Sequence, residues 1–301
     1  RKEIKNNPEK ALSHDLDAIR DVLSSERMRQ SSVLYPTAQV HDLRVVLRLI
    51  AGFPLAQKIY MRVLLDKEIA QLTNDERTML KSAVETGQIV LLTETESLAA
   101  YFLARYGLKF HETALCLPCS ILPGQATNIS SGARSKVGHY RVGCLGGWRT
   151  EKGNKMLPQV IQYLRVALNA ADNAPRVELI IQKPSIQRTF KGVKKWVKHD
   201  YPFWRSVGLP LLGNRLSLSF RTTNLSKEDF LATLKSVDIL LVPYHLDHYR
   251  HRGSGIILDG VAAEKPIVYT KGMGMTEFLI QGHAEAALEH PKDYADNVVR
   301  I

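Results

Sequence analysis

A chain of 301 residues with 45% apolar content can build one large core or two ordinary ones, and the usual domain size of about 100–200 residues favours two. Lysine and arginine number 41 against 30 aspartates and glutamates, a formal charge of +11, which suits an anionic partner such as a nucleotide, a nucleic acid or a membrane surface. Three cysteines, Cys116, Cys119 and Cys144, imply no disulfide framework; no apolar run reaches the roughly 18–20 residues that cross a bilayer, and the opening RKEIKNNPEK lacks a signal-peptide core. The expectation is a soluble, cytoplasmic protein without internal repeats, in which the completeness of the first domain is left open because the chain starts at Arg1.

In chain order, Leu12, Leu16, Ile19 and Leu23 recur at helical spacing after Asn7 and Pro8, and predict a helix of about five turns. Alternation follows: SSVLYPT a strand, VHDLRVVLRLIAG a helix, KIYMRVLL a strand, NDERTMLKSAVETG a helix capped by Asn74, IVLLTET a strand, SLAAYFLARYG a helix and ALCLP a strand. Residues 119–136, rich in Ser, Gly, Pro and Asn, read as a linker. A second series runs YRVGCLGG (strand), MLPQVIQYLRVALNAA (helix), RVELIIQ and RLSLSFRT (strands), SKEDFLATLKS (helix capped by Ser226), VDILLVPY (strand), GIILDGVAAEK (helix) and PIVYT (strand). The stretch 184–214, with Trp196 and Trp204 among many cations, is less regular. Strands separated by helices imply crossovers and parallel sheets. The predicted fold class is therefore α/β: two Rossmann-like, doubly wound domains, 1–133 and 134–301, facing a central cleft at their carboxyl strand edges.

Two segments carry the chemistry. In LGGWRTEKGN, residues 145–154, the glycines fit neither a dinucleotide fingerprint nor a Walker loop, but Arg149 and Lys152 flank a turn at a strand's carboxyl end. A forked guanidinium and a point-charge ammonium can there hold a diphosphate, or simply be solvated. In YRHRGSGIILDGVAAEKPIVYT, residues 249–270, Gly253, Ser254 and Gly255 open a helix whose first amides and dipole favour an anion. Asp259, four residues past Gly255, can accept hydrogen bonds from ribose hydroxyls or merely complement the helix dipole.

Together GGWRTEKG and VDILLVPY…RGSGIILDGVAAEKPIVYTKGMG resemble the nucleotide-sugar half of the GT-B glycosyltransferases, closest to the retaining family 4 group, over about 130 residues of the second domain. The resemblance implies a glycosyltransferase, hexosyltransferase-like, that moves a sugar from a nucleoside diphosphate sugar to a hydroxyl acceptor on a glycan or a lipid-linked molecule. It implies no metal and no cofactor beyond the donor substrate itself. By the same resemblance Arg149 and Lys152 bind the diphosphate, Gly147, Tyr244, Gly253, Ser254 and Gly255 face the donor, Asp259 holds the ribose, and Thr222 and Thr223 lie near the base. Three positions depart from that family: His251 stands where the first of two glutamates is usual, Asp259, with a shorter arm, where the second is, and Glu264 where a glycine is usual, with His251 then facing the donor sugar.

His245, Asp247, His248 and His251 are read as loop side chains rather than a metal site, and Cys116 and Cys119 as structural. On the acceptor side the candidates are His41, beside Asp42, and His111, beside Glu112. Cations interleaved with Trp196 in KGVKKWVK, residues 191–198, raise a nucleic-acid alternative, which is not the expectation; docking on an anionic membrane is a milder use of them. Isomerisation of a nucleotide sugar, or binding without catalysis, are the remaining uses of the fold.

Overall fold

The computed structural model describes residues 8–25, 31–53, 57–111, 120–121, 138–170, 173–182, 215–222, 224–279, 282–286 and 290–301. The strand expected at ALCLP, the stretch 184–214, Cys116, Cys119, Glu112, Thr223 and the boundary between 133 and 134 lie outside them. The chain divides into two compact units, Arg1–Leu117 with His251–Gly253, and Pro118–Arg250 with Ser254–Ile301.

In the first unit the order is α1 (Pro8–Ser24), β1 (Val33–Tyr35), α2 (Val40–Gly52), β2 (Ile59–Arg62), α3 (Asp66–Ala70), α4 (Asn74–Glu85), β3 (Ile89–Leu92), α5 (Glu96–Tyr106) and β4 (Phe110–His111). The strands form one parallel sheet in the order β1-β2-β3-β4, with Val33 opposite Ile59, Ile59 opposite Ile89 and Leu92 opposite His111. Leu43, Val46 and Leu47, at i, i+3 and i+4 on α2, enter the same core as Ile59, Met61, Ile89 and Leu91, which alternate along their strands. Helix α4 is capped by Thr73, not Asn74: the Thr73 hydroxyl accepts the Glu76 amide at 3.2 Å and the Glu76 carboxylate accepts the Thr73 amide at 2.8 Å. Asn74 is one position inside and takes the Arg77 guanidinium at 2.6 Å.

Past the carboxyl end of β3, Glu94 is buried and accepts Arg62 at 2.8 Å; Arg62 also donates to the Pro36 carbonyl at 3.1 Å. The Glu94 carboxylate packs directly against the α-carbon of Gly253, in space that any side chain at 253 would need. The His251 ring stacks on Tyr101, centroids 3.6 Å apart and planes 12° from parallel. Tyr101 and Tyr106 in turn donate their hydroxyls to one oxygen of Asp66, at 2.8 and 2.7 Å.

The second unit runs β5 (His139–Cys144), a 3-10 turn at Thr150–Lys152, α6 (Leu157–Ala170), β6 (Arg176–Gln182), β7 (Leu216–Arg221), α7 (Lys227–Ser236), β8 (Ile239–Val242), α8 (Leu246–Tyr249), α9 (Gly255–Ala262), β9 (Ile267–Thr270), β10 (Ala284–Ala286) and α10 (Pro291–Arg300). The sheet order is β10-β9-β8-β5-β6-β7, every pair parallel. Alternate strand residues feed two cores: Leu179, Ile181, Leu241 and Val268 meet α6 and α10, while Ile180, Leu240, Val242 and Ile267 meet α7 and α9. Coverage of both faces is why ILLV at 239–242 is a continuous apolar run rather than an alternating one. Helix α8 corrects the expectation of loop between His245 and His251; at four residues it is too short to show a period. The elements after Thr270, β10 and α10, were not anticipated from the sequence.

Gly260 fixes the height of α9 above the sheet. A Cβ there would lie 2.5 Å from Leu240 Cδ1 and 3.0 Å from Ile267 Cδ1, so only glycine lets the helix come this close to β8 and β9.

Candidate functional site

The winding of the second sheet reverses between β5 and β8, its two central strands, and in sheets of this kind the loops leaving the carboxyl ends of such strands diverge and open a crevice. From β5 the chain enters Leu145–Arg149; from β8 it enters Pro243 and Tyr244. Gly146 and Gly147 adopt φ of 101° and 87°, a turn that residues with a Cβ rarely make. The Gly146 amide is held by the buried Gln182 side chain at the end of β6, at 2.8 Å. Gly153, φ 80°, closes the 3-10 turn and packs its α-carbon on the Pro243 carbonyl, which docks the Lys152 turn onto the end of β8.

Lys152 donates its ammonium to the Gly146 carbonyl and lies 5.2 Å from the centre of the Tyr244 ring. A Cβ on Gly146 would be 2.9 Å from Lys152 Nζ, 2.9 Å from the Tyr244 hydroxyl and 3.9 Å from Ile256 Cβ, in the first turn of α9. The ammonium, the phenol and the start of α9 thus converge over one glycine. Tyr244 is 1% exposed, and its hydroxyl has no hydrogen-bond partner of good geometry among the described residues. Burial pushes its pKa far above the ordinary tyrosine range, helped by Tyr249 and Cys144, while Ser254 and Arg149 pull weakly the other way. Burial likewise pushes the Cys144 thiol up to about 12, against a smaller downward pull from Lys152.

Ser254 precedes α9 as its N-cap without a side-chain cap bond, and its amide donates to the Met275 sulfur at 2.8 Å. The amides of Gly255 and Ile256 belong to the first turn, outside the helix's own ladder, and a Cβ at Gly255 would meet nothing within 4 Å. Gly147 is equally open. Arg149 is half exposed, pairs with Glu151 at 3.3 Å, and lines a cavity of about 490 Å³ with Ser120, Gly146, Gly147, Gln182 and the Leu225–Phe230 segment. Thr222 is exposed and accepts the Asn224 amide at 3.4 Å, but it does not line the cavity, one wall of which is built by Leu225, Ser226, Lys227 and Phe230, residues to which the sequence reading gave no role.

Asp259, in the second turn of α9, is 5% exposed and accepts both the Ser120 amide at 2.6 Å and the Ser120 hydroxyl at 3.2 Å. In the first unit Gly253 does mark a close approach, but the group approaching it is the Glu94 carboxylate, and His251 lies on Tyr101. His41 bonds Asp15 at 2.9 Å in the first turn of α2, and His111 is exposed at the end of β4. Among the described residues no group of three or more His, Cys, Asp or Glu side chains is placed to hold a metal ion, and no helix is long and apolar enough to cross a membrane.

No protein-family model and no curated protein matches the sequence. Solved structures do. Sucrose-phosphate synthase from Thermosynechococcus elongatus is 13% identical with a TM-score of 0.57, over 98% of this chain and 69% of its own. A UDP-forming α,α-trehalose-phosphate synthase from Burkholderia xenovorans is 13% identical with a TM-score of 0.63, over 97% and 69%. A trehalose-6-phosphate structure from E. coli bound with UDP-2-fluoro glucose is 11% identical with a TM-score of 0.61, again over 97% and 69%. These likenesses, together with the two parallel sheets, show the fold: the chain has the GT-B architecture of two Rossmann-like units.

Proposed function

We propose that this protein is a glycosyltransferase that moves a sugar from a nucleoside diphosphate sugar to a hydroxyl acceptor. The observation that carries the reading is the convergence of the Lys152 ammonium and the buried hydroxyl of Tyr244 over Gly146, beside Ile256 in the first turn of α9. A cation and a phenolic donor at one point, beside a helix N-terminus, suit a diphosphate, with charge-assisted bonds shorter and stronger than neutral ones. Arg149, at the cavity's edge, adds a second cation. In the reaction the sugar–diphosphate bond breaks and negative charge grows on the departing phosphate, so donors fixed in advance at that position lower the barrier.

The fold adds weight. Among the structures it resembles, one is UDP-forming and another holds UDP-2-fluoro glucose, and a further one holds glucose-6-phosphate. The donor is thus taken to be a nucleotide sugar, and the acceptor a sugar hydroxyl, on a glycan or a phosphorylated sugar. A thermal-shift series tests the binding half: a nucleoside diphosphate of the right base raises the melting temperature well beyond its nucleoside, because a ligand bound only by the native state stabilises it. Absence of any shift with UDP, GDP and TDP and their sugars would overturn the proposal.

A further inference from the structure

We infer that Ser120, oriented by Asp259, is the residue that reads a ribose hydroxyl of the nucleotide. The inference rests on the nucleotide-sugar reading and gives that site its sugar-recognising wall. Asp259 is the carboxylate that the sequence assigns to the ribose, yet both its oxygens are already engaged: Oδ1 accepts the Ser120 amide at 2.6 Å and Oδ2 the Ser120 hydroxyl at 3.2 Å. It is buried at 5% exposure, whereas Ser120 is half-buried and lines the 490 Å³ cavity beside Gly146, Gly147 and Arg149.

A serine hydroxyl has one proton and two lone pairs. With the proton committed to Asp259, what Ser120 offers the cavity is an acceptor. A phosphate oxygen has no proton to give it and would meet the carboxylate's charge behind; a sugar hydroxyl donates to it, completing a chain from ribose to Oγ to carboxylate in which each bond polarises the next. The amide bond to Asp259 fixes the serine backbone, so the acceptor is placed before ligand arrives. Asp259 is then a positioning residue, acting through Ser120.

Calorimetric titration of UDP and GDP, each beside its 2′-deoxy and 3′-deoxy form, tests this. The wild-type protein should bind the ribonucleotide roughly five- to tenfold more tightly than one of its deoxy forms, the worth of one hydrogen bond. Ser120→Ala should erase that preference without weakening the deoxy form, and Ser120→Thr should restore it; the alanine keeps the backbone amide bond, and an unchanged unliganded melting temperature verifies the fold. A preference that persists in Ser120→Ala overturns the inference. Equal binding of ribo and deoxy forms by the wild type overturns it too, leaving the diphosphate reading intact, whereas no binding of UDP, GDP or TDP by the wild type ends both.

Discussion

Lys152 and Tyr244 meet over Gly146, the ammonium 5.2 Å from the ring centre, and a methyl group on the glycine would lie 2.9 Å from both Nζ and the phenol oxygen. Neither residue belongs to the turn that begins the site; each is delivered by a different strand, Lys152 after β5 and Tyr244 after β8. The ammonium also bonds the Gly146 carbonyl, so its part in the reaction is read beside its part in the fold. Lys152→Ala should lower transfer by about 10²–10³-fold, the loss typical of one fixed donor to a charge developing in the transition state, and should cost about 1–2 kcal/mol of stability through the lost bond to the Gly146 carbonyl. Steady-state kinetics beside thermal melting would show it; equal turnover in the variant would remove Lys152 from the chemistry.

Tyr244→Phe isolates a hydroxyl. Because that oxygen is buried without a partner of good geometry, deleting it removes a desolvation cost and should leave stability unchanged or raise it by up to about 1 kcal/mol. Nucleoside diphosphate affinity should fall about tenfold over the same substitution. Denaturant titration and calorimetry on one pair of proteins give both numbers, and opposite signs for the two are the mark of a group kept for a ligand rather than for the fold.

The sequence shows where chemistry gathers better than what each residue touches. VHDLRVVLRLIAG and RVELIIQ match α2 and β6 end to end, since each has a strong period or a continuous apolar run between breakers. The loop LGGWRTEKGN and the helix opening at Gly255 were likewise legible, because glycine spacing and cation placement are local signals. Partners far along the chain were not. Ser120 lies 139 residues before Asp259, and Glu94 is more remote still from Gly253; a glycine announces that something comes close without saying whether it is a phosphate or a carboxylate. Leu225–Phe230 gave no sign of lining a cavity, since a capped helix start reads the same wherever it faces.

Arg62 and Glu94, both about nine-tenths buried and 2.8 Å apart, are a pair whose removal is asymmetric. Arg62→Met alone leaves a buried carboxylate without its cation and should cost about 3 kcal/mol, while Arg62→Met with Glu94→Gln should recover most of the loss. A double-mutant cycle by urea unfolding measures the coupling; additive losses would show that the two charges act independently.

Glu178 gives stability a pH dependence of known sign. The Ser219 hydroxyl bond, and then the Arg141 guanidinium at 3.1 Å, hold its carboxyl below the usual glutamate range. A depressed folded-state pKa means that the unfolded chain binds the proton more readily, so the contribution is complete above the ordinary value of about 4.3 and disappears as pH falls through the lower folded value. Glu178→Gln should therefore cost about 1 kcal/mol at neutral pH, and the difference from wild type should close on acidification below that range. Stability curves at several pH values would contradict this if the gap stayed constant.

Glu264, where the family resemblance read from the sequence implies a glycine, adopts φ 53°, the left-handed conformation. It lies in the turn that follows α9, with its amide bonded to the Val261 carbonyl at 3.0 Å and the Lys265 amide to that of Gly260 at 2.9 Å, so the turn is fixed by its backbone and not by the glutamate. A residue with a Cβ pays about 1–2 kcal/mol for that φ, and glycine gives back part of the gain through its freer unfolded chain. Glu264→Gly should accordingly raise stability by about 0.5–1 kcal/mol, seen as a higher denaturant midpoint at constant slope. A fall instead would mean that the Glu264 side chain stabilises the turn by more than its backbone strain costs.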